Sequence, residues 1–218
     1  MKFSIAKFAK KKFFVPGIVI ALVVIGWLIL LIAENMPSEK PTKIEEFTAT
    51  WSPKEDYVIK ETPEGTFVEN EKAGLTFKVP EGWLTEINDT TVSLLNKEIT
   101  SGETHKNISP KKLIEKEACL ITTNTGELGS NTSEPHVALV VLNKQISSLE
   151  QSPNTSGYYQ LIIVGGHKGL KTGGNDQFYI SVEVPIGNKL YRFELYNYSK
   201  GEKCSQEFDK FLATVSIR

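Results

Sequence analysis

Apolar positions fall along this chain in two different ways. Residues 14–33 read FVPGIVIALVVIGWLILLIA without a charge. At about 1.5 Å per residue such a run makes a helix of roughly 30 Å, the thickness of a bilayer's hydrocarbon core. Fourteen of its residues are Leu, Ile, Val or Phe. Their transfer into lipid outweighs the cost of Pro16, Gly17 and Gly26, and Pro16 sits in the first turn, where its missing N–H is not needed. The run predicts a transmembrane helix. Beyond residue 65 the apolar stretches are short and many alternate with polar residues, the period of a half-buried strand.

Leu75-Thr76-Phe77-Lys78-Val79 shows that alternation and ends at Pro80 and Gly82. Strands are also predicted over residues 91–95 and 118–123. Residues 137–142 and 161–164 are continuous apolar runs and read as central strands buried on both faces. Residues 178–184 and 190–196 flank Pro185-Ile186-Gly187-Asn188-Lys189, a turn signal, and read as a β-hairpin.

Three segments carry helical signals. Ser109 before Pro110 is a cap followed by proline at the first helical position, starting a helix through about residue 117. A second short helix is predicted over residues 143–150. Near the end, Cys204, Phe208, Phe211 and Leu212 fall at i, i+4, i+7 and i+8, one face of a helix, and residues 213–217 return to a strand pattern. The fold class expected is α+β: an N-terminal transmembrane helix followed by a mostly antiparallel sheet with packed helices.

Four parts follow: a Lys-rich cytoplasmic tail over residues 1–13, the membrane helix over 14–33, a stalk over 34–65 and a folded domain over 66–218. Pro37, Pro41, Pro53 and Pro63 stand among many charges in the stalk, a composition of extended spacers. Trp51 and Tyr57-Val58-Ile59 are exceptions there and read as a first strand or as residues tucked against the domain. Lys2, Lys7, Lys10, Lys11 and Lys12 precede the apolar run, while Glu34 and Glu39 follow it. The positive-inside rule then keeps the N-terminus cytoplasmic and puts the domain outside, in a single-pass cell-membrane protein. A cleaved signal peptide has a shorter apolar region and a small-x-small site; Leu31-Ile32-Ala33 puts a bulky residue where a small one belongs, so an uncleaved signal-anchor is expected.

Charge refines the picture. The 25 bases and 26 acids nearly cancel, but the five N-terminal lysines leave 25 − 5 = 20 bases against 26 acids in the remainder, or −6. An acidic domain has no electrostatic footprint for nucleic acid. The expected partners are the lipid bilayer through residues 14–33 and a protein or other envelope component. Cys119 and Cys204 are the only cysteines. Their even number and their position on the oxidising side point to a disulfide that staples the last helix to the sheet.

Gly74-Leu75-Thr76-Phe77-Lys78-Val79-Pro80-Glu81-Gly82-Trp83, the hairpin through Gly187-Asn188-Lys189-Leu190-Tyr191, and the closing Phe208-Asp209-Lys210-Phe211-Leu212-Ala213-Thr214-Val215 together resemble the PsbP-like domains, a family that takes its name from an extrinsic protein of photosystem II. The resemblance covers residues 66–217. It implies an α/β/α sandwich with a central antiparallel sheet, and a binding or assembly factor rather than an enzyme.

Catalytic chemistry needs a nucleophile, a base or a metal. His105, His136 and His167 show no close-spaced metal pair. Gly165-Gly166-His167-Lys168-Gly169-Leu170-Lys171-Thr172 echoes a phosphate-binding loop, but Leu170 interrupts the Gly-Lys-Thr that the pattern requires. No catalytic residue, metal ligand or cofactor is assigned. Gly165, Gly166, His167 and Lys168 with Gly173, Gly174 and Asn175 are the candidate contact loops, expected together at one end of the sheet. The function expected is that of a membrane-anchored extracytoplasmic binding or assembly module without catalytic activity. The alternative is an envelope hydrolase or a thiol-redox factor using Cys204, which stands beside Lys203 near a helix start.

Overall fold

A computed structural model describes residues 49–96, 109–129, 137–152, 158–173, 178–199 and 201–218. All of them belong to one compact unit, Thr48–Arg218. In chain order the strands are β1 (Ala49–Trp51), β2 (Val58–Thr62), β3 (Gly65–Asn70), β4 (Leu75–Lys78), β5 (Leu84–Asn88), β6 (Thr91–Leu95), β7 (Cys119–Leu128), β8 (Tyr159–Val164), β9 (His167–Thr172), β10 (Tyr179–Ile186), β11 (Lys189–Asn197) and β12 (Ser216–Ile217). The helices are α1 (Pro110–Glu115), α2 (Val137–Gln151) and α3 (Lys203–Leu212), with a single 3-10 turn at Lys54–Asp56.

The strands form two antiparallel sheets. The larger runs β5-β6-β7-β11-β10-β9-β8, with β1 on β7 beyond the end of β6. The smaller runs β12-β4-β3-β2. Alternation along β10 and β11 decides which side chains go inside: Ile180, Val182, Val184, Tyr191, Phe193 and Leu195 share the inner face. There they meet Val68, Leu75 and Phe77 of the small sheet and Phe208, Phe211 and Leu212 of α3 in one core. Phe211 contacts both Phe77 and Phe193 edge-on, at 5.3 and 6.1 Å between ring centroids, a geometry that aromatic quadrupoles favour.

On the outer face of the large sheet two smaller clusters sit apart. Leu139, Leu142 and Ile146 of α2 pack on Leu128, Leu170 and Leu190. Leu113 of α1 packs with Leu95 and Ala118. Gly126 lets β1 approach: a Cβ there would stand 2.8 Å from the Thr50 carbonyl oxygen.

Many predicted elements are present. β4 matches its alternation, β6 its predicted span, and β7 extends its predicted strand to Leu128. β10 and β11 form the hairpin around Gly187-Asn188. Ser109 caps α1 by accepting from the Lys112 N–H, and α3 buries Cys204, Phe208, Phe211 and Leu212.

Residues 137–142 are not a strand but the first half of α2. Leu139, Leu142, Ile146 and Leu149 at i, i+3, i+7 and i+10 turn to the sheet with Ala138 beside them, while Val137, Val140 and Val141 are exposed. A continuous apolar run thus hid a helical period that shows only when the next turn is read with it. Residues 161–164 are a strand, but at the sheet edge, with Leu161 and Ile163 exposed.

The expected fold class needs correction. The described chain is mostly antiparallel sheet, and a second sheet joins α3 in covering the inner face, so the architecture is not an α/β/α sandwich. No helix among the described residues is long and apolar enough to cross a membrane. The longest, α2, has 15 residues and one apolar face. The transmembrane helix and the single-pass cell-membrane placement built on it are therefore not carried forward; residues 14–33 lie outside the described residues. The boundary at residue 65 also moves. β1 pairs with β7, and β2 with β3, so residues 49–65 belong to the folded unit rather than to a stalk. Their charges and prolines reflect an exposed edge strand and its turns.

Candidate binding face

Among the described residues, no element covers the outer face of the large sheet between α1 and α2. Antiparallel register builds its floor from residues far apart in sequence. One row runs Ser93, Thr122, Glu194, Ser181, Thr172 and Tyr159 from β6 to β8. The row beside it toward α2 holds Asn124, Arg192 and Glu183, and the row toward α1 holds Leu120, Tyr196 and Tyr179. All are outward positions on their strands, so period-two alternation puts them on one surface.

Glu194 is held from two sides. The Tyr179 hydroxyl donates to its Oε1 at 2.7 Å and the Thr122 hydroxyl to its Oε2 at 3.0 Å. Burial raises the Tyr179 pKa well above its ordinary value, and the hydrogen bond to Glu194 and its charge push the same way. Tyr196 is raised by burial and then by the Glu194 charge, and Tyr198 by burial. The phenols on this face are therefore neutral hydrogen-bonding groups across the physiological range.

The neighbouring row is built around an ion pair. Arg192 holds Oε1 of Glu183 through both Nε at 3.0 Å and Nη2 at 2.8 Å, two charge-assisted contacts on one oxygen. Its guanidinium carbon lies 5.2 Å from the Trp51 ring centroid, within cation–π range.

Aromatic rings rim the floor. Tyr179 contacts Tyr196 at 5.3 Å, and Phe178 meets Tyr198 at 5.0 Å. Phe178 is 55% and Tyr179 39% exposed. Apolar ring surface thus stands open to solvent beside carboxylate, guanidinium and hydroxyl groups that are already oriented. That combination offers stacking area and directional hydrogen bonds together.

The sequence-predicted contact loops do not form one cluster. Gly165 and Gly166 make the two-residue turn from β8 to β9, with φ of 57° and 85°, values open to glycine at no steric cost. His167 and Lys168 begin β9, where Lys168 pairs with Glu150 of α2, and both line a shallow hollow under that helix. Gly173 lies at the other end of β9, and Gly174 and Asn175 lie outside the described residues. Sequence reasoning missed the face itself. Its only local signal was that the outward positions of β10 and β11 hold tyrosines among their charges.

Cys119 and Cys204 form a disulfide across 85 positions, with Cα atoms 5.3 Å apart. It links the start of β7 to the first turn of α3, as the sequence led us to expect. Both residues are fully buried, whereas a reactive thiol needs partial exposure. Of the three histidines, only His167 lies in the described residues. Among those residues no group of three His, Cys, Asp or Glu side chains is gathered as a metal site. No protein-family model matches the chain, and no curated protein matches it.

Proposed function

We propose that this chain is a binding or assembly module without catalytic activity, and that its partner docks on the open outer face of the large sheet. The observation that carries this reading is the exposed Phe178–Tyr179 rim beside the fixed Glu194 and Arg192. Tyrosine and arginine supply rigid, amphipathic contact area and are the residue types that dominate binding energy at protein interfaces. Both carboxylates of the central rows are engaged, Glu194 by two hydroxyls and Glu183 by Arg192. That suits positioning better than acid–base turnover. The partner is read as a protein, with no part for nucleic acid, given the acidic balance of the chain after residue 33.

Co-purification tests the proposal. The full chain should retain one stoichiometric partner that Phe178→Ala combined with Tyr179→Ala releases, while Val137→Ser on α2 keeps it. Equal retention by both variants would refute the assignment of this face.

A further inference from the structure

We propose that β8 is a strand-pairing edge through which two copies of this chain join. The inference does not depend on the binding face.

β8 reads Tyr159-Gln160-Leu161-Ile162-Ile163-Val164, with no charge and no proline. Sheet edges are normally guarded by charges, proline or shortness, because their unpaired backbone groups recruit other strands. The other long edges obey that rule. β2 carries Lys60 and Glu61, and β5 carries Glu86. β8 has no such guard, and its outward side chains are apolar and open: Tyr159 is 43%, Leu161 39% and Ile163 60% exposed.

The phase of the ladder fixes which backbone groups are offered. The Gly173 N–H donates to the Tyr158 carbonyl, and Tyr159 opposes Thr172. In an antiparallel pair, bonded and non-bonded positions alternate. Gln160, Ile162 and Val164 therefore bond to β9, while Tyr159, Leu161 and Ile163 direct their N–H and C=O groups away from it. Among the described residues no strand pairs that side. The offered stretch ends at Ile163, since Gly165 already bridges Ser216 of β12.

A second β8 satisfies this edge with itself. Placing a twofold axis at Leu161 opposes Leu161 to its own copy and Tyr159 to Ile163, in both directions. Those three pairs are the outward-directed ones, and at two bonds each they make about six hydrogen bonds. Apolar side chain meets apolar side chain on the shared face, and no charge meets a like charge. The contact is isologous, so it closes as a dimer rather than growing. One strand pair is a small interface, of the class that gives reversible, micromolar association.

Sedimentation equilibrium of the full chain, with Ile163→Lys as the variant, tests this. The wild type should form a reversible dimer, and the variant should weaken it at least about tenfold while unfolding at the same temperature, because a lysine on an edge blocks pairing without touching the core. Leu161→Cys should form an interchain disulfide under mild oxidation, and Ile59→Cys on β2 should not. A monomeric wild type would overturn the proposal. So would a dimer indifferent to Ile163→Lys, or equal crosslinking at positions 161 and 59.

Discussion

Tyr179 and Glu194 lie on neighbouring strands, two register positions apart on one face, and share a 2.7 Å hydrogen bond in which the phenol donates. Glu194 raises the phenol's pKa both by accepting this proton and by its charge. Glu194→Gln removes the charge and should bring the Tyr179 titration to lower pH. Ultraviolet titration of the two proteins measures this. The fold should change in stability by no more than about 1 kcal/mol, since this is a solvent-facing site away from the core.

The Cys119–Cys204 bond closes a long loop and so constrains the unfolded chain more than the folded one. In the chain-entropy treatment a loop of 85 positions corresponds to about 4–5 kcal/mol. Urea unfolding of the oxidised protein against its Cys119→Ser/Cys204→Ser variant should show a loss of that order, with the fluorescence of the folded state retained.

Alkaline stability turns on Tyr57. Its hydroxyl is buried, accepts from the Thr125 N–H at 3.2 Å, and has its pKa pushed up to about 12, chiefly by burial. An unfolded tyrosine titrates near 10. The folded state therefore holds this proton more tightly, so its stabilising contribution is whole below pH ~10 and is lost as pH rises through ~12. The loss is on the order of 2–3 kcal/mol. Thermal unfolding should show a steep decline in that window. Tyr57→Phe should flatten it, at a neutral-pH cost of about 1–3 kcal/mol for leaving the Thr125 N–H unpaired.

Local pattern made the hairpin, α1 and α3 legible, because each carries its signal within a few residues: Gly187-Asn188, Ser109-Pro110, and apolar positions one helical face apart. α2 was not legible over residues 137–142. Six consecutive apolar residues satisfy a buried strand and a helix equally, and only packing on Leu128, Leu170 and Leu190 settles the matter. The binding face was hidden for a different reason. Thr122 and Glu194 stand 72 positions apart, and nothing near either residue reveals the register that joins them. The smaller sheet was legible only in part: Leu75 to Val79, residues 213–217 and Tyr57-Val58-Ile59 carried strand signals, but β3 did not stand out, and nothing local shows that these strands pair into a second sheet. The cysteine pairing was legible because only one pairing within the chain was available.

Site-specific photocrosslinking tests most directly whether the outer face is where the partner sits. Benzoyl-phenylalanine replaces Phe178 with little change of shape, and Ile59 on the far edge of the small sheet serves as the control position. Irradiation of the full chain in its native setting should give one discrete adduct from position 178, absent from position 59 and lost when Tyr179→Ala and Tyr196→Ala are added. The same adduct from both positions, or none from 178, would contradict the assignment.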